Sequence, residues 1–148
     1  MSSLYHISTE TKKRISKFRT ATARSDSVEV QVIKIQPKPS YEITIDEADE
    51  EEVNEVSSLE ELGQVLPDNT PRYVLLSYPM TTRDGRKQTP LILIYWKPMT
   101  VVSQEWKMLY AGALEKVRSE CGVSKMIEVT SGLEEEEDIQ ELKEQIES

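Results

Sequence analysis

Two short, unbroken apolar runs constrain this chain most: Tyr73–Tyr78 (YVLLSY) and Leu91–Trp96 (LILIYW). Runs of this length, rich in aliphatic and aromatic residues, read as strands buried on both faces. Between them lies MTTRDGRKQTP, where Asp84-Gly85 signals a hairpin turn. The two runs therefore predict the centre of a sheet, with a tip carrying Arg83, Arg86 and Lys87. A strand covered on both faces needs amphipathic elements on either side, and the rest of the chain must supply them.

It does so in a regular order. Glu10–Arg24 reads as a helix capped by Ser8 or Thr9, with Ile15, Phe18 and Ala21 or Thr22 on its apolar side. Its other face is basic: Lys12, Lys13, Arg14, Lys17 and Arg19. Val28, Val30 and Val32 alternate, and Ile33 and Ile35 continue out of phase. That slip predicts a bulge or a stretch buried on both faces. Pro37-Lys38-Pro39 ends the strand, and Tyr41, Ile43 and Ile45 form its hairpin partner. Ser57 or Ser58 caps a short helix over Leu59–Val65, which Leu66–Pro71 terminates. The longest helix spans Ser103–Glu120. Ser103 is its cap, and Trp106, Tyr110, Ala113, Val117 and Cys121 form its inward stripe. Lys107, Met108, Lys116 and Arg118 lie off that stripe, and Gly122 closes the helix. A last strand over Lys125–Thr130 and an acidic helix over Leu133–Ile146, with Ile139, Leu142 and Ile146 on one side, complete the chain. The expected fold class is α+β: one domain over residues 1–148, a central mixed five-stranded sheet, and helices on both faces. The last strand joins by a right-handed parallel crossover.

Charge is segregated within a net −9. Residues 1–39 and 72–125 are basic, whereas 40–63 and 126–148 are strongly acidic. The summed field repels phosphate, so nucleic acid is not an expected partner, whereas an acidic protein surface meeting the basic parts is. No apolar run reaches membrane-spanning length, and MSSLYHISTETKKR lacks the apolar core of a signal peptide. The chain reads as soluble and cytosolic. The single cysteine, Cys121, excludes an internal disulfide and a multi-thiolate zinc site.

A catalytic constellation is missing as well. There is no nucleophile elbow, phosphate loop or dinucleotide fingerprint. His6 lies in a start expected to be flexible. Cys121 sits at a helix C-terminus, where the dipole disfavours a thiolate. The acidic run Asp46–Glu55 lacks the spacing and central glycine of a calcium loop. No metal or cofactor is implied. An acid–base hydrolase would need a buried carboxylate pair, and almost all carboxylates fall in two solvated runs.

The order of elements resembles the actin-depolymerising factor homology fold, and two stretches sharpen the likeness. L-P-x-x-x-P-R-Y-V from Leu66, Asp84-Gly85-Arg86, Pro90-Leu91, and then Lys107-Met108-Leu109-Tyr110-Ala111-Gly112 together resemble the glia maturation factors. Cofilins are similar at K-M-x-Y-A but usually carry serine where Gly112 stands. KPMTVVSQEWKMLYAG is similar to fungal members, and Leu114 and Glu115 depart from animal ones.

The resemblance implies a regulator without enzymatic activity. It would bind the actin-related protein two/three branching complex, remove daughter filaments and inhibit new nucleation, while binding actin weakly. The alternative is a cofilin-like actin-binding and severing protein. In this fold the N-terminal segment and the long helix dock into a cleft of actin or an actin-related protein. That implies a primary face of Ser2, Ser3, Leu4, Met99, Lys107 and Met108, with Lys116 and Arg118 farther along. A second face is implied at Arg83, Asp84, Arg86 and Lys87, and Gln88 and Pro90 replace positions that are basic in cofilins. Ser2 and Ser3 match the family's phosphorylatable serine, and a phosphate there would weaken docking. A monomer in the cytoplasm, at cortical actin patches and in the nucleus, is the corresponding expectation.

Overall fold

The computed structural model describes residues 5–23, 27–36, 41–45, 56, 58–66, 70–97, 104–123, 125–130 and 135–147. Its centre is the predicted hairpin. Strand β4 (Arg72–Ser77) pairs antiparallel with β7 (Leu91–Trp96), from Arg72↔Trp96 to Ser77↔Leu91. Alternate side chains of these runs feed two cores. Val74, Leu76, Ile92, Ile94 and Trp96 face one layer, and Tyr73, Leu75, Leu93 and Tyr95 face the other.

Strand β2 (Glu29–Gln36) pairs antiparallel with β4 and with β3 (Tyr41–Ile45), and its register is continuous from Glu29 to Gln36. The phase slip is therefore burial on both faces, with no bulge. Val30 and Val32 enter one core, while Ile33 and Ile35 enter the other. Strand β8 (Lys125–Val129) lies parallel to β7 after a crossover through the long helix.

The main sheet has six strands rather than the expected five, in the order β1-β3-β2-β4-β7-β8. The added strand, β1 (Tyr5–Ile7), lies parallel to β3 at the edge. Three residues are too few to show an alternation, and the strand depends on a partner distant in sequence. His6 accordingly sits exposed on an edge strand, opposite Glu42, and not in a flexible start. A small ribbon, β5 (Met80–Thr81) with β6 (Lys87–Gln88), carries the hairpin tip.

Helices α1 (Thr9–Thr22) and α3 (Gln104–Cys121) cover one face of the sheet; α2 (Leu59–Val65) and α4 (Glu136–Glu147) cover the other. Ser8 caps α1, accepting the Thr11 amide at 3.1 Å, and Ser58 caps α2, accepting the Glu61 amide at 3.3 Å. The expected cap Ser103 lies outside the described residues. Ile15 and Thr22 of α1 are buried and Phe18 packs beside them, whereas Ala21 is exposed. On α3 the inward stripe is Leu109, Tyr110, Ala113, Val117 and Cys121, and Trp106 is half-buried at its margin. Gly122 ends α3 at φ +60°, its amide donating to the Arg118 carbonyl at 3.1 Å. Ile139, Leu142 and Ile146 anchor α4. The Lys125 ammonium donates to the Gln145 carbonyl at 2.7 Å, at the negative end of that helix.

Candidate partner-binding faces

The long helix is held by its phenol. Extending the β2–β4 register beyond Ile33↔Tyr73 would set Ile35 opposite Pro71, where β4 has not begun. The Ile35 amide instead donates to the Tyr110 hydroxyl at 3.0 Å. The Tyr73 hydroxyl donates to the Tyr110 carbonyl, and the rings of Tyr73, Tyr95 and Trp106 all pack within 6 Å of a neighbouring tyrosine. With Tyr110 fixed inward, the helical period fixes what points outward.

Met108 is what points outward: it is 73% exposed and is the exposed large hydrophobic among the described residues. Lys107 beside it is half-buried, and Arg118 and Lys116 are exposed. Lys107 and Arg118, eleven positions apart, come back to the same side of α3, roughly 16 Å apart along its axis. Nine positions carry Lys116 about 180° round from Lys107, towards the side on which Glu105 and Gly112 approach Tyr41 and Tyr5. The long-helix residues thus form a Lys107–Arg118 stripe next to Met108, with Lys116 on the opposite flank. Arg118 is also paired with Glu115 at 3.8 Å. Ser2, Ser3, Leu4 and Met99 lie outside the described residues.

The second set sits on the ribbon at the Ser77/Leu91 end of the sheet, whereas Lys107 and Met108 lie towards the other end. Arg83, Asp84, Arg86 and Lys87 are all exposed. Thr82, which no sequence motif marks, organises them. Its amide donates to the Arg86 carbonyl at 2.8 Å, and its hydroxyl accepts the Arg86 amide at 3.2 Å and donates to the Asp84 carboxylate. The other Asp84 oxygen takes Arg86 Nε at 3.2 Å. Gly85, at φ +84°, makes this turn possible. The signal in the sequence was a hydroxyl two residues before Asp-Gly, a spacing at which short polar side chains bond each other and the backbone. Gln88 lies exposed opposite Met80, and the Pro90 carbonyl accepts the Tyr78 amide at 3.2 Å.

A cleft of about 500 Å³ opens at the start of α3, lined by Lys34, Ile35, Gln36, Thr70, Arg72, Trp106 and Tyr110. It offers cations and aromatic faces, without an acid–base pair. Cys121 is buried, and burial, followed by the nearby Glu120 carboxylate, pushes its thiol up to about 12. Among the described residues no group of histidine, cysteine and carboxylate side chains could hold a metal, and no helix is long and apolar enough to cross a membrane.

The cofilin/tropomyosin-type actin-binding protein family model matches residues 5–147. The chain belongs to this family. Within it, the chain belongs with the glia maturation factors, to which it is similar in sequence and in structure. It is 30% identical to rat glia maturation factor beta over 115 residues, covering 78% of this chain and 77% of that one. The solution structure of glia maturation factor from Caenorhabditis elegans superposes with a TM-score of 0.68 at 32% identity, covering 88% of this chain and 91% of that one. Protein AIM7 of Saccharomyces cerevisiae is 64% identical over 148 residues, all of this chain and 99% of that one, in keeping with the resemblance to fungal members. Membership of the family gives the chain a role in regulating the actin cytoskeleton, on an α+β fold.

Proposed function

We propose that this protein binds the actin-related protein two/three complex, detaches daughter filaments from branch junctions and inhibits new nucleation. The observation that carries the reading is Met108, an apolar side chain 73% exposed on the long helix and flanked by Lys107. An exposed apolar anchor beside a cation fits a groove with an apolar floor and an acidic rim, as an actin-like subunit would offer. The tip of Arg83, Arg86 and Lys87 makes the second contact, against the first daughter subunit. Gln88 and Pro90 supply no charge to the stretch that follows the tip, which suits weak affinity for bare filaments. The protein acts as a single-domain monomer in the cytoplasm, at cortical actin patches.

The family description names actin binding, which favours one other reading, a cofilin-like protein that binds actin directly and severs it. Co-sedimentation against bare filaments and against purified branching complex, with imaging of branched networks, separates the two. Binding to the complex and shortened branch lifetimes are expected. Lys107→Ala and Met108→Ala should each weaken complex binding by roughly 1–3 kcal/mol with the fold intact. Tight binding to bare filaments with untouched branches would overturn the proposal.

A further inference from the structure

We propose that Gly112 is a positioning residue: its bare Cα is the seat for the Tyr5 phenol, and this contact fixes β1 against α3 beside Met108. A methyl group at Gly112 would lie 2.6 Å from Tyr5 Oη, a distance that Cβ contacts essentially never reach. The next atoms, Tyr5 Cζ and Cε2, would be 3.5 and 3.7 Å away, in ordinary contact. The glycine is not there for its backbone. Positive φ occurs at Gly85 and Gly122, whereas Gly112 lies inside an 18-residue helix. Alanine would favour that helix by about 1 kcal/mol. The close approach of the phenol is what the missing side chain allows.

The seat has a consequence for binding. Gly112 is one turn beyond Met108, so both lie on the same side of α3. Strand β1 is three residues long and, among the described strands, pairs with β3 on one side, so side-chain anchors add to that short ladder in holding it. Tyr5 packs on Tyr41 with ring centroids 6.3 Å apart, and the Tyr41 hydroxyl reaches Glu105 Oε1 at 3.5 Å. The edge of the sheet is thus tied along α3 at Glu105 and again at Gly112. Tyr5 becomes part of the surface that a partner grasping Met108 would meet. This inference rests on the proposed partner for its binding consequence but not for the seat itself.

The experiment compares Gly112→Ala, Tyr5→Phe and the double variant. Hydrogen exchange at residues 5–7 reads the seat, and affinity for purified branching complex reads its consequence. Gly112→Ala is expected to speed exchange in β1 and weaken binding by at least about fivefold, without lowering the melting temperature. Tyr5→Phe in that background removes the clashing oxygen and should restore both, which a merely structural loss would not show. Unchanged β1 exchange in Gly112→Ala, or a double variant no better than the single, overturns the seat. Altered and rescued exchange with unaltered affinity overturns its role in docking. A parent chain that fails to bind the complex overturns the functional reading, and exchange alone then decides the seat.

Discussion

Tyr110 shows how one side chain can set both a fold and a face. Its ring is fully buried, its hydroxyl closes the β2 ladder at Ile35, and its carbonyl accepts the Tyr73 hydroxyl. Tyr110→Phe keeps the ring and removes the acceptor, which strands the buried Ile35 amide. An unpaired buried donor costs about 1–3 kcal/mol. The variant should therefore lose that much stability in denaturant titrations while remaining folded, with the loss concentrated in the exchange of Ile35. An unchanged midpoint would mean that water or another acceptor reaches the amide. Met108 contrasts with it. Among the described residues nothing covers its thioether, so its replacement should act on binding and leave stability alone.

At the scale of elements, the hairpin tip and the long helix divide the work. In the tip, Asp84 engages Thr82 and Arg86 together, so Arg86 is committed to the turn while the Arg83 side chain projects from it. Arg83→Ala should lengthen branch lifetimes while leaving complex binding near its original strength. Arg86→Ala should have the smaller effect, because an exposed ion pair contributes at most about 1 kcal/mol. Time-resolved imaging of branches, set beside a binding isotherm, checks the order, and equal effects of the two would show that Arg86 meets the partner directly. These elements also differ in how openly the sequence declares them. Both apolar runs, the α3 stripe at Tyr110, Ala113, Val117 and Cys121, and the α4 anchors were readable because burial imposes a period. Met108 was readable because it breaks that period. Strand β1 was not, since a three-residue edge strand has no period and takes its order from β3 and from Tyr5 against Gly112. The wrapping of α3 that puts Lys116 opposite Lys107 follows from helix geometry once the core side is known. The Thr82 bonds, by contrast, depend on a turn conformation that composition alone leaves open.

Across the whole molecule, charge lies outside and protons are held inside. The outer face of α4 carries exposed Glu136, Glu137, Glu141 and Glu144. Between the sheet and the α1/α3 layer, burial holds three acids in their neutral forms. Burial, with neighbouring phenols, raises Tyr73. Burial, and then Glu128, pushes Tyr95 up to about 12, and Cys121 is pushed up to about 12 in the same way. A group whose folded pKa is raised binds its proton more tightly in the folded state. For Cys121 and Tyr95 that contribution is complete below the ordinary value, 9.0 for the thiol and 10.0 for the phenol, and is lost as pH rises from there towards about 12, whereas for Tyr73 the loss starts at 10.0 and continues beyond that range. The melting temperature should therefore hold steady near neutrality and fall progressively above about pH 9. Tyr95 gives the discriminating variant. Its hydroxyl is buried with no hydrogen-bond partner among the described residues. Tyr95→Phe removes an unsatisfied group together with one of the titrating acids. It should range from neutral to about 1 kcal/mol stabilising at neutral pH, and its alkaline decline should be shallower than that of the parent chain. Parallel declines in thermal melts of the two proteins would show that Tyr95 ionises no later in the fold than in the unfolded chain.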